Sequence, residues 1–191
     1  MPFTEPSQSR SITHVSAVRV YILLLCSLLM ACNEDLSPSD RDLRPAVQSG
    51  TEGNQVGQLA LDFTLESTLD ERINLLDELQ ASDAVVLYFT MWCPLCDSHM
   101  SSLRQNVKAD FPNVRFLVVD YVSGTLAQSR SAQLANGYAS ETVLPDTSQL
   151  LVRQFAGTMG STIVIRADRQ ILMNEDYKES KLTSILDALV E

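Results

Sequence analysis

Histidine is nearly absent from this 191-residue chain: His14 and His99 are the whole supply. A Ser–His–Asp arrangement or a histidine-rich metal site has little to draw on. Clusters of lysine and arginine are missing too, with 14 basic residues against 24 acidic ones and a formal charge of −10. Non-specific nucleic-acid binding needs clustered cations to replace phosphate counterions, so no nucleic-acid partner is expected. With only 7 glycines, no glycine-rich phosphate loop is present, and no cofactor is expected. No internal repeat occurs. No apolar run reaches the ~20 residues that a spanning helix needs.

A shorter apolar run does occur. Residues 1–19 are polar and weakly basic, and Val20 to Ala31 then forms an apolar stretch broken only by Cys26 and Ser27. At about 1.5 Å per residue it covers roughly 18 Å, short of a ~30 Å hydrocarbon core. Residues 1–31 therefore read as a secretory signal. The run ends Leu29-Met30-Ala31-Cys32, which resembles the bacterial lipobox. That resemblance implies lipidation of Cys32 and two-chain anchoring to a membrane. It places the domain on the periplasmic side, and Asn33 in the second position favours the outer membrane. Cysteine usage follows from this. Cys26 leaves with the signal and Cys32 carries lipid, so Cys93 and Cys96 are the remaining thiols. A single close pair in an oxidising compartment is expected to be in use.

Residues 32–55 comprise Cys32 and a stretch rich in Asp, Glu, Ser, Pro and Gly, read as a flexible tether. Residues 56–191 read as one α/β domain, a sheet with helices on its faces. Leu61–Leu65 alternates as a half-buried strand and Arg72–Leu75 is its partner. Ala84–Phe89 is a continuous apolar run suited to a strand buried on both faces. Met100, Leu103 and Val107 give residues 94–109 helical spacing, with Pro94 in the first turn. Val114–Val119 is a second buried strand. Helices are expected at 126–135, 147–155 and 178–190, and strands at 162–165 and 170–173. Alternating strands and helices imply a layered α/β fold.

The chemistry centres on Trp92-Cys93-Pro94-Leu95-Cys96, between a buried strand and a helix. At a helix start, Cys93 meets free N–H groups and the positive dipole end, both of which favour thiolate. Cys96, one turn on, can resolve a mixed disulfide formed at Cys93. A static disulfide is the plain structural alternative, but so short a loop adds little chain-entropy stabilisation. Trp92 is assigned to the docking surface beside the nucleophile.

This motif resembles the thioredoxin superfamily, in particular its TlpA/ResA-like and peroxiredoxin-like branches, over residues 56–190. Gly57–Leu65 resembles the Gly-x-x-Ala-Pro-Asp-Phe-x-Leu entry of that branch, with Leu61 in place of proline. Val143-Leu144-Pro145-Asp146 resembles the segment before the final hairpin. The resemblance implies a thioredoxin-like fold, a central mixed sheet flanked by helices, and thiol–disulfide exchange with protein thiols or disulfides, with reduction of exported proteins expected. Two departures stand out. The family's cis-proline position falls on Gly160, after Met159, and the strand Val85–Phe89 carries no buried acid.

Two rival readings remain open at this level. Thr90, three residues before Cys93, fits a peroxiredoxin-like thiol peroxidase, with Arg153 or Arg166 available to meet peroxide. Cys93, Cys96, His99 and Met100 lie close in sequence and offer donors for a copper-binding role similar to that of Sco-type metallochaperones, because thiolates and a thioether suit Cu(I). Four-ligand zinc lacks ligands.

Overall fold

The computed structural model describes residues 46–190. The signal segment, Cys32 and the first part of the tether lie outside the described residues. Seven strands and five helices follow in chain order: β1 (Thr64–Glu66), β2 (Arg72–Asn74), α1 (Leu75–Ala81), β3 (Ala84–Thr90), α2 (Pro94–Ser102), β4 (Val114–Asp120), α3 (Leu126–Ala135), β5 (Val143–Pro145), α4 (Leu150–Phe155), β6 (Ser161–Arg166), β7 (Ile171–Asp176) and α5 (Glu179–Val190).

β1 and β2 form a small antiparallel pair. The main sheet has the order β5-β4-β3-β6-β7. β3 runs parallel to β4, β4 parallel to β5, and β6 is antiparallel to both β3 and β7. The apolar run of β3 explains its central place, since every one of its residues is buried. Val85, Leu87 and Phe89 face one core with Leu75 and Leu79 of α1 and Leu151 and Phe155 of α4. Ala84, Val86 and Tyr88 face the other, with Met100 of α2 and Leu182 and Leu186 of α5. Period-two alternation thus divides one strand between two cores. Each large side chain so buried contributes about 1.5–3 kcal/mol.

The expected mixed sheet flanked by helices is present, and local boundaries differ for identifiable reasons. The expected helix 94–109 is α-helical only to Ser102 and continues as a π-helical turn over Leu103–Val107. Lys108 N–H reaches back to Leu103 O at 2.9 Å, one residue beyond α spacing. Leu103 and Val107 stay buried through the wider turn. The helix expected from 147 starts at Leu150, because Gln149 takes a left-handed φ of 57°. The buried Asp146 carboxylate then receives the Leu150 and Val152 N–H groups at 2.7 and 2.9 Å. The first strand starts at Thr64 rather than Leu61, whose side chain is exposed.

The end of the stretch read as tether is packed on the domain. Gly50 N–H donates to Gly57 O at 3.0 Å and Asn174 Nδ2 to Asn54 O at 2.7 Å. Arg169 pairs with Glu52 at 2.8 Å. Composition misses these bonds because they satisfy backbone and polar groups rather than bury apolar ones. None of the described helices is long and apolar enough to cross a membrane.

Candidate active site

β3 ends at Thr90, and the chain must turn within two residues to start α2. Trp92 makes that turn with a left-handed φ of 59°. Its N–H donates to Thr90 Oγ1 at 3.1 Å, so the buried threonine hydroxyl holds the turn closed. Cys93 is the residue before α2, and Pro94 occupies the first helical turn. Cys93 and Cys96 form a disulfide with their Cα atoms 5.0 Å apart. Cys96 N–H points at Cys93 Sγ at 3.1 Å, the capping bond of the helix. Cys96 is fully buried and Cys93 half-buried. An incoming group therefore meets Cys93 first.

Trp92 is fixed from both sides. Its indole Nε1 donates to Asp120 Oδ2 at 2.8 Å, and its ring lies 6.5 Å from that of Tyr138. Asp120 is buried at the end of β4, where the sheet register sets it beside Thr90. Its other oxygen accepts from the Val122 and Ser123 N–H groups, each at 3.1 Å. Burial alone would raise this carboxyl, but hydrogen bonds, including those from Ser123 and Trp92, outweigh it and hold Asp120 below its ordinary value. A buried acid thus sits on the neighbouring strand, bonded to Trp92. The sequence signal was faint: a polar residue following a buried strand, whose register with β3 cannot be read locally. Met91, Leu95 and Val122, near Trp92, Cys96 and Asp120 in the chain, are exposed apolar side chains.

The segment from Gly157 to Gly160 closes the other side. Gly160 stands where the resemblance expects a cis-proline. It has a left-handed φ of 82°, and no peptide bond among the described residues is cis. Its N–H donates to Phe89 O at 3.0 Å and its carbonyl accepts from Tyr177 N–H at 2.8 Å. Proline could not supply that donor. Met159, half-buried, brings its Sδ to 3.5 Å from Cys93 Sγ.

His99 does not join the cysteines. Its Nδ1 is hydrogen-bonded to Tyr88 Oη at 3.1 Å, and its ring lies on Tyr177 at 4.8 Å between centroids. Burial lowers the His99 pKa, opposed by Asp176. Burial also raises the Tyr88 hydroxyl, with Tyr177 and its other tyrosine neighbours adding to it, so this phenol stays protonated. Among the described residues, no three of His, Cys, Asp or Glu converge on a metal-sized space. The Cys93–Cys96–His99 set therefore does not assemble. The arginines considered for peroxide are engaged elsewhere: Arg153 with Ser148 O at 2.9 Å and Arg166 with Asp168.

The AhpC/TSA family model matches residues 56–174. None of the curated proteins compared matches the chain. Among solved structures, a Chlorobium tepidum protein provisionally named thiol:disulfide interchange protein DsbE shares 18% identity at a TM-score of 0.61, covering 72% of this chain and 99% of its own. A secreted Mycobacterium tuberculosis disulfide oxidoreductase, homologous to E. coli DsbE, shares 21% identity at 0.52, covering 66% and 95%. Peroxidoxin BcpB of the same organism shares 20% at 0.56, covering 70% and 96%. At these identities the likeness speaks to the fold, which is thioredoxin-like.

Proposed function

The chain belongs to the AhpC/TSA family of thioredoxin-like oxidoreductases, and from that premise we propose that it exchanges disulfides through Cys93 and Cys96, reducing exported proteins from a lipid anchor at Cys32. The observation that carries this reading is the disulfide at the start of α2, with one sulfur half-buried and the other enclosed. In the reduced form, Cys93 thiolate attacks a substrate disulfide. One substrate sulfur leaves as thiolate, and Cys93 holds the other in a mixed disulfide. Cys96 then attacks Cys93 Sγ, the second substrate thiol departs, and the Cys93–Cys96 bond forms. The helix N-terminus favours the Cys93 thiolate at the start of this cycle. Exposed Met91, Leu95 and Val122 offer apolar surface to an unfolded or apolar stretch of substrate.

The test is a redox titration of the domain against a dithiol series, following the two thiols by alkylation. A two-electron midpoint near the thioredoxin value of about −270 mV supports a reductase, and one near −120 mV reverses the direction. No reversible transition overturns the exchange reading. Anchoring is tested separately by labelling cells with a clickable palmitate. Label on the wild-type chain and none on Cys32→Ala supports the lipid at Cys32, and equal label on both overturns it. Separation of inner and outer membranes then tests the location that Asn33 favours.

A further inference from the structure

Met159 has no role in disulfide exchange as described, yet its thioether stands against the reactive sulfur. Met159 Sδ lies 3.5 Å from Cys93 Sγ, which is van der Waals contact for two sulfur atoms. The loop before β6 fixes it there. Gly160 N–H donates to Phe89 O at 3.0 Å, Tyr177 N–H to Gly160 O at 2.8 Å, and Thr158 N–H to Ser161 Oγ at 2.9 Å. The methionines of the described residues differ in access. Met100 and Met173 are buried in the core, whereas Met91 is exposed and Met159 half-buried. A small oxidant therefore reaches Met91 and Met159 first. While Cys93 and Cys96 are joined, neither offers it a thiol.

We propose that Met159 is a reversible oxidation site, its sulfoxide reduced within the chain by Cys93 and Cys96. This chemistry rests on the exchange reading, in which Cys93 attacks and Cys96 resolves. Methionine sulfoxide is a rung of sulfur oxidation that reduction can reverse. Reversal here needs a thiolate held against the sulfoxide sulfur and a second thiol to finish. Reacting atoms about 3–3.5 Å apart are in near-attack range, and well-oriented groups held so reach effective concentrations of about 10⁵–10⁸ M. The contact between Met159 and Cys93 meets that spacing. Cys96 N–H, directed at Cys93 Sγ at 3.1 Å, favours the thiolate that must attack.

Hypochlorous acid, a two-electron oxygen donor, passes its oxygen to Met159 Sδ. The sulfur is oxidised, and chloride and a proton are released. A dithiol then reduces the Cys93–Cys96 bond to two thiols and itself becomes a disulfide. Cys93, as thiolate, attacks the sulfoxide sulfur. An Sγ–Sδ bond forms, the sulfur–oxygen bond breaks, and the oxygen leaves as water with the protons that the two thiols give up. Cys96 thiolate attacks Cys93 Sγ, the electron pair of the Sγ–Sδ bond returns to Met159 as thioether, and the disulfide re-forms. That last step is the one that resolves a mixed disulfide, with Met159 in the place of the departing substrate sulfur. One cycle consumes one oxidant and one dithiol and leaves the chain as it began.

The test oxidises the full, disulfide-bonded chain with hypochlorous acid, removes the oxidant and adds a dithiol. Samples quenched over time are alkylated, and peptide mass spectrometry follows the sulfoxides of Met159 and Met91. Met159 sulfoxide should disappear at a rate independent of chain concentration. That rate should be at least about tenfold faster than for Met91, since the contact with Cys93 is made by Met159. The oxidised chain should consume one further dithiol per Met159 sulfoxide, and Cys93→Ser should retain the sulfoxide. Equal rates at the two methionines overturn the proposal, as does a rate that rises with chain concentration or a Met159 that resists the oxidant while Met91 is oxidised. The comparison within the unsubstituted chain decides the point even if Cys93→Ser folds poorly. A chain that passes the redox titration yet keeps its Met159 sulfoxide refutes the repair and leaves the exchange reading standing.

Discussion

The half-buried Cys93 and the enclosed Cys96 sit in one disulfide yet differ in access, and this difference assigns their roles. Cys93→Ser should abolish disulfide exchange. Cys96→Ser should trap a mixed disulfide, visible by mass spectrometry as a covalent adduct of the substrate. Full turnover by either variant overturns the assignment. Asp120 acts one step further back, holding the Trp92 indole and two loop N–H groups at once. Asparagine can present only one acceptor oxygen, so Asp120→Asn should destabilise the domain by about 1–3 kcal/mol at pH 7. The carboxyl titrates below its ordinary value in the fold. Its contribution is therefore complete above the unfolded value of about 3.9 and is lost as pH falls through the lower folded value. Denaturation at pH 7 and pH 3 should show the gap between wild type and Asp120→Asn narrowing in acid. An unchanged gap would show that charge is not what holds this corner.

Elements meet at the cysteines because β3, α2 and the loop before β6 each contribute one constraint. β3 supplies Thr90, α2 its N-terminus, and the loop Met159 and Gly160. Gly160 keeps a left-handed φ of 82° while donating to Phe89 O. A Cβ there would lie 3.7 Å from the His99 ring, an ordinary contact, so the obstacle to a side chain is the backbone. Gly160→Ala should cost about 1–2 kcal/mol. Gly160→Pro should cost more, because proline fixes φ near −65° and removes the donor. The order wild type, alanine, proline in urea unfolding checks this. Gly157 has the opposite problem, since a Cβ would press into the Phe89 ring. Overpacking of this kind commonly costs about 1–3 kcal/mol. The helix that continues α2 shows how packing adjusts an element. Its apolar spacing predicts the buried side, while the π-helical turn over Leu103–Val107 keeps that side against the sheet.

At the scale of the molecule, one sheet separates two cores and carries the site at the end of its central strands. The domain's edge lies earlier in the chain than composition indicates. A chain beginning at residue 56 loses the Gly50–Gly57 and Asn174–Asn54 hydrogen bonds and the Arg169–Glu52 pair. The exposed ion pair is worth little, and the two hydrogen bonds about 1 kcal/mol each. Unfolding of chains beginning at 46 and at 56 should differ by about 2 kcal/mol, and equal stability would place the edge at 56. Much of this architecture is readable from sequence, because strand and helix periodicities are local. Ala84–Phe89 announces a central strand, and Trp92-Cys93-Pro94-Leu95-Cys96 announces a redox pair at a helix start. By itself the sequence determined the layered α/β class, the two cysteines and the order of the elements it marked, since each depends on neighbours within a few positions; it left α1 and β5 unmarked. Only the tertiary structure decided what surrounds them. The parallel register of β3 with β4 delivers Asp120 to Trp92 across 28 positions, and the turn at Gly160 delivers Met159 to Cys93 across 66. It also gives His99 to Tyr88 and Tyr177 instead of the cysteines. Such contacts depend on how separate elements are aligned in space, and local spacing carries no record of that alignment.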